Sequence, residues 1–308
     1  MMEMIDFSKS TELVNKFLGS EKKKTVEYNG KIYLLKFPDP IREKGKSLSY
    51  INNVISEYLG CRIYASAGVE TQKVLLGTFH DKTEKIVCGC EDFVPEGKYL
   101  FEYKNFILAD VEAETPNDFE LGEILDSIEK NSMLTNSDEV KSRFWDMFVM
   151  DAFIGNPDRH IGNWGLLGTG RKGELTLAPV YDCGSCLFPL LGEEELRLFP
   201  ESEYKNRAFN VYSCYKEHGK RIHAGQYILS RKNADCNAAV KRVVPRINLP
   251  YIYQMIEEIP VISNEKKKFF RKILSSRYEL IHGLTLNRIQ KAEKKVKGIQ
   301  KEIKIPKL

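Results

Sequence analysis

The sequence predicts an α+β fold: a small, antiparallel, β-rich front region with one helix, then a larger, mainly helical region. Three observations predict it. β-rich runs at 25–28 and 31–37 flank Asn29-Gly30, the strongest short-range hairpin signal. Residues 140–154 are densely apolar and suit a buried helix. Between these stretches Pro95 and Gly97 punctuate the chain and mark the crossing from one region to the other. The 308 residues are 42% hydrophobic and 29% charged, enough to bury a full core without disulfide or metal staples.

In the second hairpin strand Ile32, Leu34 and Lys36 share one face, before Pro38 and Pro40 stop it. A lysine in line with apolar residues either snorkels to water at an edge or reaches under the sheet toward phosphate. Ile51, Val54, Ile55, Tyr58 and Leu59 follow helical spacing, predicting a helix over 49–63. Glu57 lies at the margin of that stripe, a solvated position by default and a partner for Lys36 if the helix packs on the hairpin. Further strands are expected at 71–79 and 85–90. Ahead of the hairpin, Gly19, Ser20, Glu21, Lys22 and Lys23 read as an exposed charged turn or as a loop whose N–H groups cradle phosphate. Asn136 and Glu139 have capping-box spacing at the start of the apolar helix.

Charge is uneven. Residues 286–308 hold eight basic and two acidic residues, a local +6 that exceeds the net +4 of the chain, so the body ahead of them is slightly acidic. Ile289, Ala292, Val296, Ile299 and Ile303 recur at helical steps, predicting a terminal helix packed on the body with solvated lysines. The sharper alternative is docking to an acidic partner, a nucleic acid or an anionic membrane surface. Seven cysteines and a start without an apolar signal segment suit free thiols in the cytoplasm, with secretion by a route that uses no signal peptide left open. No apolar run is long enough to span a membrane. Cys88/Cys90 and Cys183/Cys186 miss the usual zinc spacing. Gly168, Gly170 and Gly173 match G-x-G-x-x-G, but short apolar runs on both sides make them a hairpin turn, not a dinucleotide loop.

The apolar helix ends in residues 155–163, which read G-N-P-D-R-H-I-G-N. So polar a loop between core elements is more often functional than structural. Asp158 and Asn163 are five apart, the D-x-x-x-x-N spacing of phosphotransfer loops. The carboxylate orients the attacking hydroxyl and takes its proton, and the amide oxygen holds Mg²⁺. A strand over 175–181 then leads to Asp182-Cys183-Gly184, the D-x-G that supplies a second magnesium ligand. Each piece is common alone. Lys36, Glu57, Asp158, Asn163 and Asp182 in that order point to an ATP-dependent phosphotransferase. Arg159 is expected to neutralise Asp158 or a phosphate, and His160 is either structural or a proton partner.

Residues 155–163, followed by V-Y-D-C-G-S-C-L-F-P at 180–189, resemble the HipA-type serine/threonine kinases, the short CtkA-like branch in particular. The resemblance runs from about residue 19 to at least 189. It implies a two-lobed protein-kinase-like fold, with an N-lobe over 1–93, a C-lobe over 94–285, a basic tail over 286–308, and ATP between the lobes. It implies Lys36 on the phosphates, Asp158 as catalytic aspartate, and Asn163 and Asp182 on magnesium. Glu91, Asp92 and Phe93 resemble the E-R-F hinge whose backbone meets adenine; Glu57 and the loop from Gly19 to Lys23 match more loosely. The acceptor implied is a protein serine or threonine, the chain itself included. The toxin kinases carry an N-terminal subdomain for which Lys36 stands too early, so docking to their DNA-binding antitoxin is an open expectation. The serine they phosphorylate on themselves has no counterpart in 15–18, so self-regulation would use another residue, such as Ser20 or Thr25. Two other readings stand beside this one: a lipid or small-molecule kinase, since D-R-H also resembles phosphoinositide kinase loops, and a nucleotide-binding interaction module.

Overall fold

The computed structural model describes residues 3–14, 23–38, 53–107, 119–134, 136–170 and 174–303, with backbone alone over 296–303. The front lobe is a six-stranded sheet, in sequence β1 (Ile5–Asp6), β2 (Thr11–Leu13), β3 (Lys23–Tyr28), β4 (Lys31–Lys36), β5 (Val74–His80) and β6 (Glu84–Glu91), with helix α1 (Asn53–Ser66) between β4 and β5. The spatial order is β1-β5-β6-β4-β3-β2, antiparallel throughout except for the short β1–β5 pair. Asn29 and Gly30, both at positive φ, close the β3–β4 hairpin and set Tyr28 opposite Lys31. That register brings Lys36 opposite Lys23 on one side and Cys88 on the other. The sequence reading contains neither β1 nor β2: two and three residues carry too little periodicity. Between them Phe7, fully buried, packs with Tyr33, Leu35 and Phe37 on the outer face of the sheet.

Helix α1 covers the inner face. The expectation of a solvated Glu57 is overturned: the residue is 0% exposed, and the helix is buried on nearly every side. It is pressed between the sheet and the chain after Asp182. A side chain at Gly60 would meet Cys183 Cβ at 2.6 Å, so only glycine permits that approach. Residues 49–52 of the expected helix lie outside the described residues.

The second lobe opens with β7 (Tyr99–Glu102), α2 (Lys104–Ile107) and α3 (Leu121–Lys130), then the core helix α4 (Ser137–Ile154). Trp145, Phe148, Val149 and Phe153 of α4 are buried, and Tyr64 of α1 donates to the Met147 carbonyl at 3.1 Å, so one core runs through both lobes. The capping box does not form: Asn136 makes no side-chain bond to the helix backbone, and its amide donates to the Glu139 carboxylate instead. β8 (Gly165–Gly168) and β9 (Thr176–Leu177) form the expected hairpin beside β7.

Beyond the site come α5 (Glu193–Arg197), α6 (Glu203–Phe209), the hairpin β10 (Tyr212–Glu217) and β11 (Lys220–His223), α7 (Ala224–Ser230), α8 (Ala234–Val243), α9 (Leu249–Glu258) and α10 (Asn264–Tyr278). The β10–β11 hairpin stands within this otherwise helical part of the second lobe. α10 runs through a π-helical stretch, Glu279–Leu286, straight into α11 (Asn287–Ile303). Among the tail side chains the structure describes, Ile289 is the last that is buried, and Val296, Ile299 and Ile303 lie outside them. Ala292 is exposed, and Glu293 ties the helix to Lys241 at 2.8 Å. No helix among the described residues is long and apolar enough to cross a membrane.

Candidate active site

Lys36, at the end of β4, sits between two carboxylates. Its Nζ donates to Glu57 Oε2 at 2.9 Å and to Asp182 Oδ1 at 2.8 Å. Burial alone would pull the ammonium's pKa down, but the two carboxylates outweigh it and hold Lys36 well above the ordinary lysine range. Chiefly because of Lys36, the Asp182 carboxyl is held down at about 2. One cation thus ties the sheet, α1 and the D-x-G segment together.

Two cavities meet at this pair. The first, about 810 Å³, opens under β4 and β6, is lined by Lys23, Leu34, Cys90, Phe93, Asn163 and Tyr181, and reaches Lys36 and Asp182. The second, about 790 Å³, lies beyond Lys36 and Asp182 and contains Asp158. Asp158 is held above the ordinary carboxylate value, mainly by burial. Its Oδ2 accepts a hydrogen bond from Ser185 at 3.3 Å.

The loop from 155 to 163 is held by a network that spacing did not reveal. Arg159 makes its ion pair with Asp151 and not with Asp158, which corrects the expectation of a direct pair, though its charge still opposes the rise in the Asp158 pKa. It is buried and turned inward, donating through Nε to Asp151 Oδ2 at 3.0 Å, through Nη2 to Asp151 Oδ1 at 3.3 Å and through Nη1 to the Asn163 carbonyl at 2.9 Å. It also donates to the Tyr181 carbonyl and to Cys183 Sγ. A carboxylate on a buried helix must find a partner, and Asp151, alone among Met150, Ala152 and Phe153, was the signal that could have found this pair. Asn163 Nδ2 donates to the Asp158 carbonyl at 2.8 Å, which leaves its Oδ1 without a partner among the described residues. Asp182 Oδ2 likewise has none. Two hard oxygens facing one cavity fit a Mg²⁺ ion, which needs few protein ligands.

At the inner end of the first cavity Glu91 departs from the expectation. Its side chain pairs with Lys31 at 3.0 Å, its N–H and carbonyl bond Lys73 and Gln72, and it does not line the cavity. Asp92 N–H bonds the Ile32 carbonyl, leaving the Asp92 carbonyl and Phe93 N–H as the open groups among the described residues. Phe93 stacks on Tyr181 at 5.7 Å, and Tyr181 donates to the Gly162 carbonyl at 3.2 Å. His160 lines the same cavity, with Nδ1 accepting the Gly162 N–H at 3.1 Å. Lys23 lines it too, while Gly19, Ser20 and Lys22 lie outside the described residues.

A half-open sheet over a helical lobe, with a lysine–glutamate pair under the sheet and two aspartates below it, defines the protein-kinase-like class of phosphotransferases. Within that class the chain belongs to the family described as HipA-like C-terminal domain, which matches residues 15–247. It is 35% identical over 255 residues to the serine/threonine-protein kinase CtkA of Helicobacter pylori (strain J99), covering 81% of this chain and 77% of the relative. The crystal structure of the H. pylori proinflammatory kinase CtkA superimposes with a TM-score of 0.85 at 32% identity, covering 94% of this chain and 99% of that one. HipA of Shewanella oneidensis MR-1, in complex with HipB and operator DNA, shares the fold at a TM-score of 0.56 and 16% identity, over 91% of this chain and 67% of that one.

Proposed function

We propose that the protein transfers the γ-phosphoryl group of MgATP to serine or threonine hydroxyls of proteins, its own included. The observation that carries this reading is Lys36, held by Glu57 and Asp182 where a nucleotide-sized cavity meets the cavity that contains Asp158. In this reading residues 1–93 and 94–285 are the two lobes, and residues 286–308 an appended basic helix.

Leu34, Cys90, Phe93 and Tyr181 line the cavity that would take adenine, and the Asp92 carbonyl and Phe93 N–H are the backbone groups that would meet its polar edge. Lys36 and Lys23 meet the phosphates, and Glu57 keeps Lys36 in place. Asn163 Oδ1 and the Asp182 carboxylate hold magnesium, which neutralises phosphate charge when bound. Asp158 orients the acceptor hydroxyl and takes its proton as the oxygen–phosphorus bond forms and the bond to the β-phosphate oxygen breaks. Its raised pKa makes it a better proton acceptor than an ordinary carboxylate. His160 supports the turn that presents Asn163. The site acts by positioning and charge. Seven free cysteines, all buried, suit a reducing cytoplasm.

Intact-mass spectrometry of the full chain after incubation with MgATP, beside Asp182→Asn, tests the reading. Whole phosphate masses gained by the wild type alone, or passed to an added protein, are expected. Phosphate transfer that survives Asp182→Asn, or no transfer and no ATP consumption, would overturn it.

A further inference from the structure

The acceptor-side cavity is unevenly charged. Of its inner carboxylates, Glu57 and Asp182 are taken by Lys36, and Asp158 stands beside them. Its outer wall carries Arg207, which pairs with Glu203 at 4.0 Å, and Arg221 and Arg277, against one carboxylate, Glu195, whose Oε2 accepts the Gly192 N–H. Arg221 donates to two carbonyls, Ser213 through Nε and Pro157 through Nη2, each at 3.0 Å, and its Nη1 has no partner among the described residues.

Arg277 is the more telling. It is 2% exposed, yet no carboxylate lies within salt-bridge distance among the described residues. Its Nη1 reaches the Phe153 carbonyl at 3.4 Å, and its Nε has no partner. The guanidinium lies over the Phe188 ring, 5.1 Å from its centroid, and against Gly155, where a side chain would strike it at 2.3 Å. Gly155 stands at φ +70° and ends α4. Burial without a counter-ion pulls the Arg277 pKa down to about 10.

A simpler role for Arg277 is to hold the carbonyl end of α4, where a cation meets the negative end of the helix dipole. One long bond uses one of five donors, and a buried cation left so is costly. An anion entering the cavity would complete it. Arg277 packs on the residue three before Asp158, and Arg221 bonds the carbonyl immediately before it. Both arginines thus border the loop that carries Asp158, so a negative group held by either would sit beside the acceptor segment. Leu190 and Tyr212 offer exposed apolar surface beside it.

The geometry points to an acceptor cavity that selects protein segments with an acidic group, carboxylate or phosphate, next to the serine or threonine, with Arg221 and Arg277 as its anion-binding residues. This rests on the kinase reading.

The test uses the full chain, MgATP and three peptides that differ only at the residues flanking one serine: glutamine, glutamate or phosphoserine. The glutamate peptide is expected to exceed the glutamine peptide in kcat/KM by about tenfold, the worth of one charge-assisted hydrogen bond. If phosphoserine exceeds glutamate, the anion recognised is phosphate on an already modified segment; if not, it is the carboxylate. Arg221→Gln should bring the glutamate-to-glutamine ratio toward one. Arg277→Lys, which keeps the charge in case removal unfolds the chain, should lower the same ratio by losing the fork. Equal kcat/KM for glutamate and glutamine peptides overturns the inference and leaves the kinase standing. No transfer to any peptide, with no phosphate on the chain itself, overturns both.

Discussion

Lys36 binds Asp182 as closely as it binds Glu57, 2.8 Å against 2.9 Å, so the carboxylate of the D-x-G segment and the helix glutamate share one cation. Removing the cation leaves Glu57 buried without its partner. Lys36→Met should therefore lower phosphoryl transfer by about 10²–10³, mainly in kcat, as for loss of one preorganised donor. Steady-state kinetics with ATP varied checks this, and a loss confined to KM would count against it.

The same pair sets an acid limit on stability. Folded, Asp182 titrates near 2; unfolded, near 3.9. Between those values the unfolded chain binds more protons, so stability rises with pH. The contribution is complete above about 4 and is lost as pH falls toward 2. Denaturant titrations across that window should show a shallower slope for Lys36→Met than for the wild type; identical slopes would sink the assignment.

In the proposed mechanism Asp158 takes a proton and must be ionised to do so. Burial raises its pKa, and the Ser185 hydroxyl bond opposes that rise. The acid limb of kcat/KM should stand above the ordinary carboxylate value of 3.8, and Ser185→Ala should move it to still higher pH. A limb that stays in place would show that Ser185 does not bear on the carboxylate.

Asp151 and Arg159 are buried together. Asp151→Ala leaves a charge without its partner, and the loss should be about 3–5 kcal/mol. Urea unfolding followed by circular dichroism reads it directly. A change under about 1 kcal/mol, the worth of a surface pair, would mean the pair is not buried in solution.

Gly60→Ala should cost about 1–3 kcal/mol, because the added methyl meets Cys183 inside a packed core. Gly122→Ala in α3, with nothing within 4 Å, should be neutral or stabilise by up to about 1 kcal/mol. Thermal melts of the two variants should move in opposite directions or differ by several degrees.

Features that rest on residues close in sequence are legible in it. The spacing of Asp158, Asn163 and Asp182 is set by chemistry within one loop and one hairpin. The Asn29-Gly30 hairpin was readable for the same reason, because a turn type selects its residues locally. Glu57 was read correctly as a partner for Lys36 but wrongly as marginal. A helix wedged between two surfaces has no solvent stripe, so periodicity does not say which side is wet. Arg159 was aimed at the wrong partner because its neighbour Asp158 was visible and Asp151, eight residues back and one layer down, was not. Arg277, far along the chain, carries no local pattern at all. β1, β2 and the π-helical turn were too short or too rare to leave a trace.

Among the buried positions leading out of α10, Arg277, Ile281, Thr285 and Ile289 stand at steps of four, with Leu286 beside Thr285. In a regular α-helix such a row drifts about 40° per step, since 3.6 residues complete a turn. The wider π turn absorbs the drift and keeps the row on one side. The stretch from 279 to 286 therefore works as a rotational spacer, fixing the azimuth at which the lysine-rich end leaves the body. Deleting one residue there would keep the rod continuous and swing that end by about 100°.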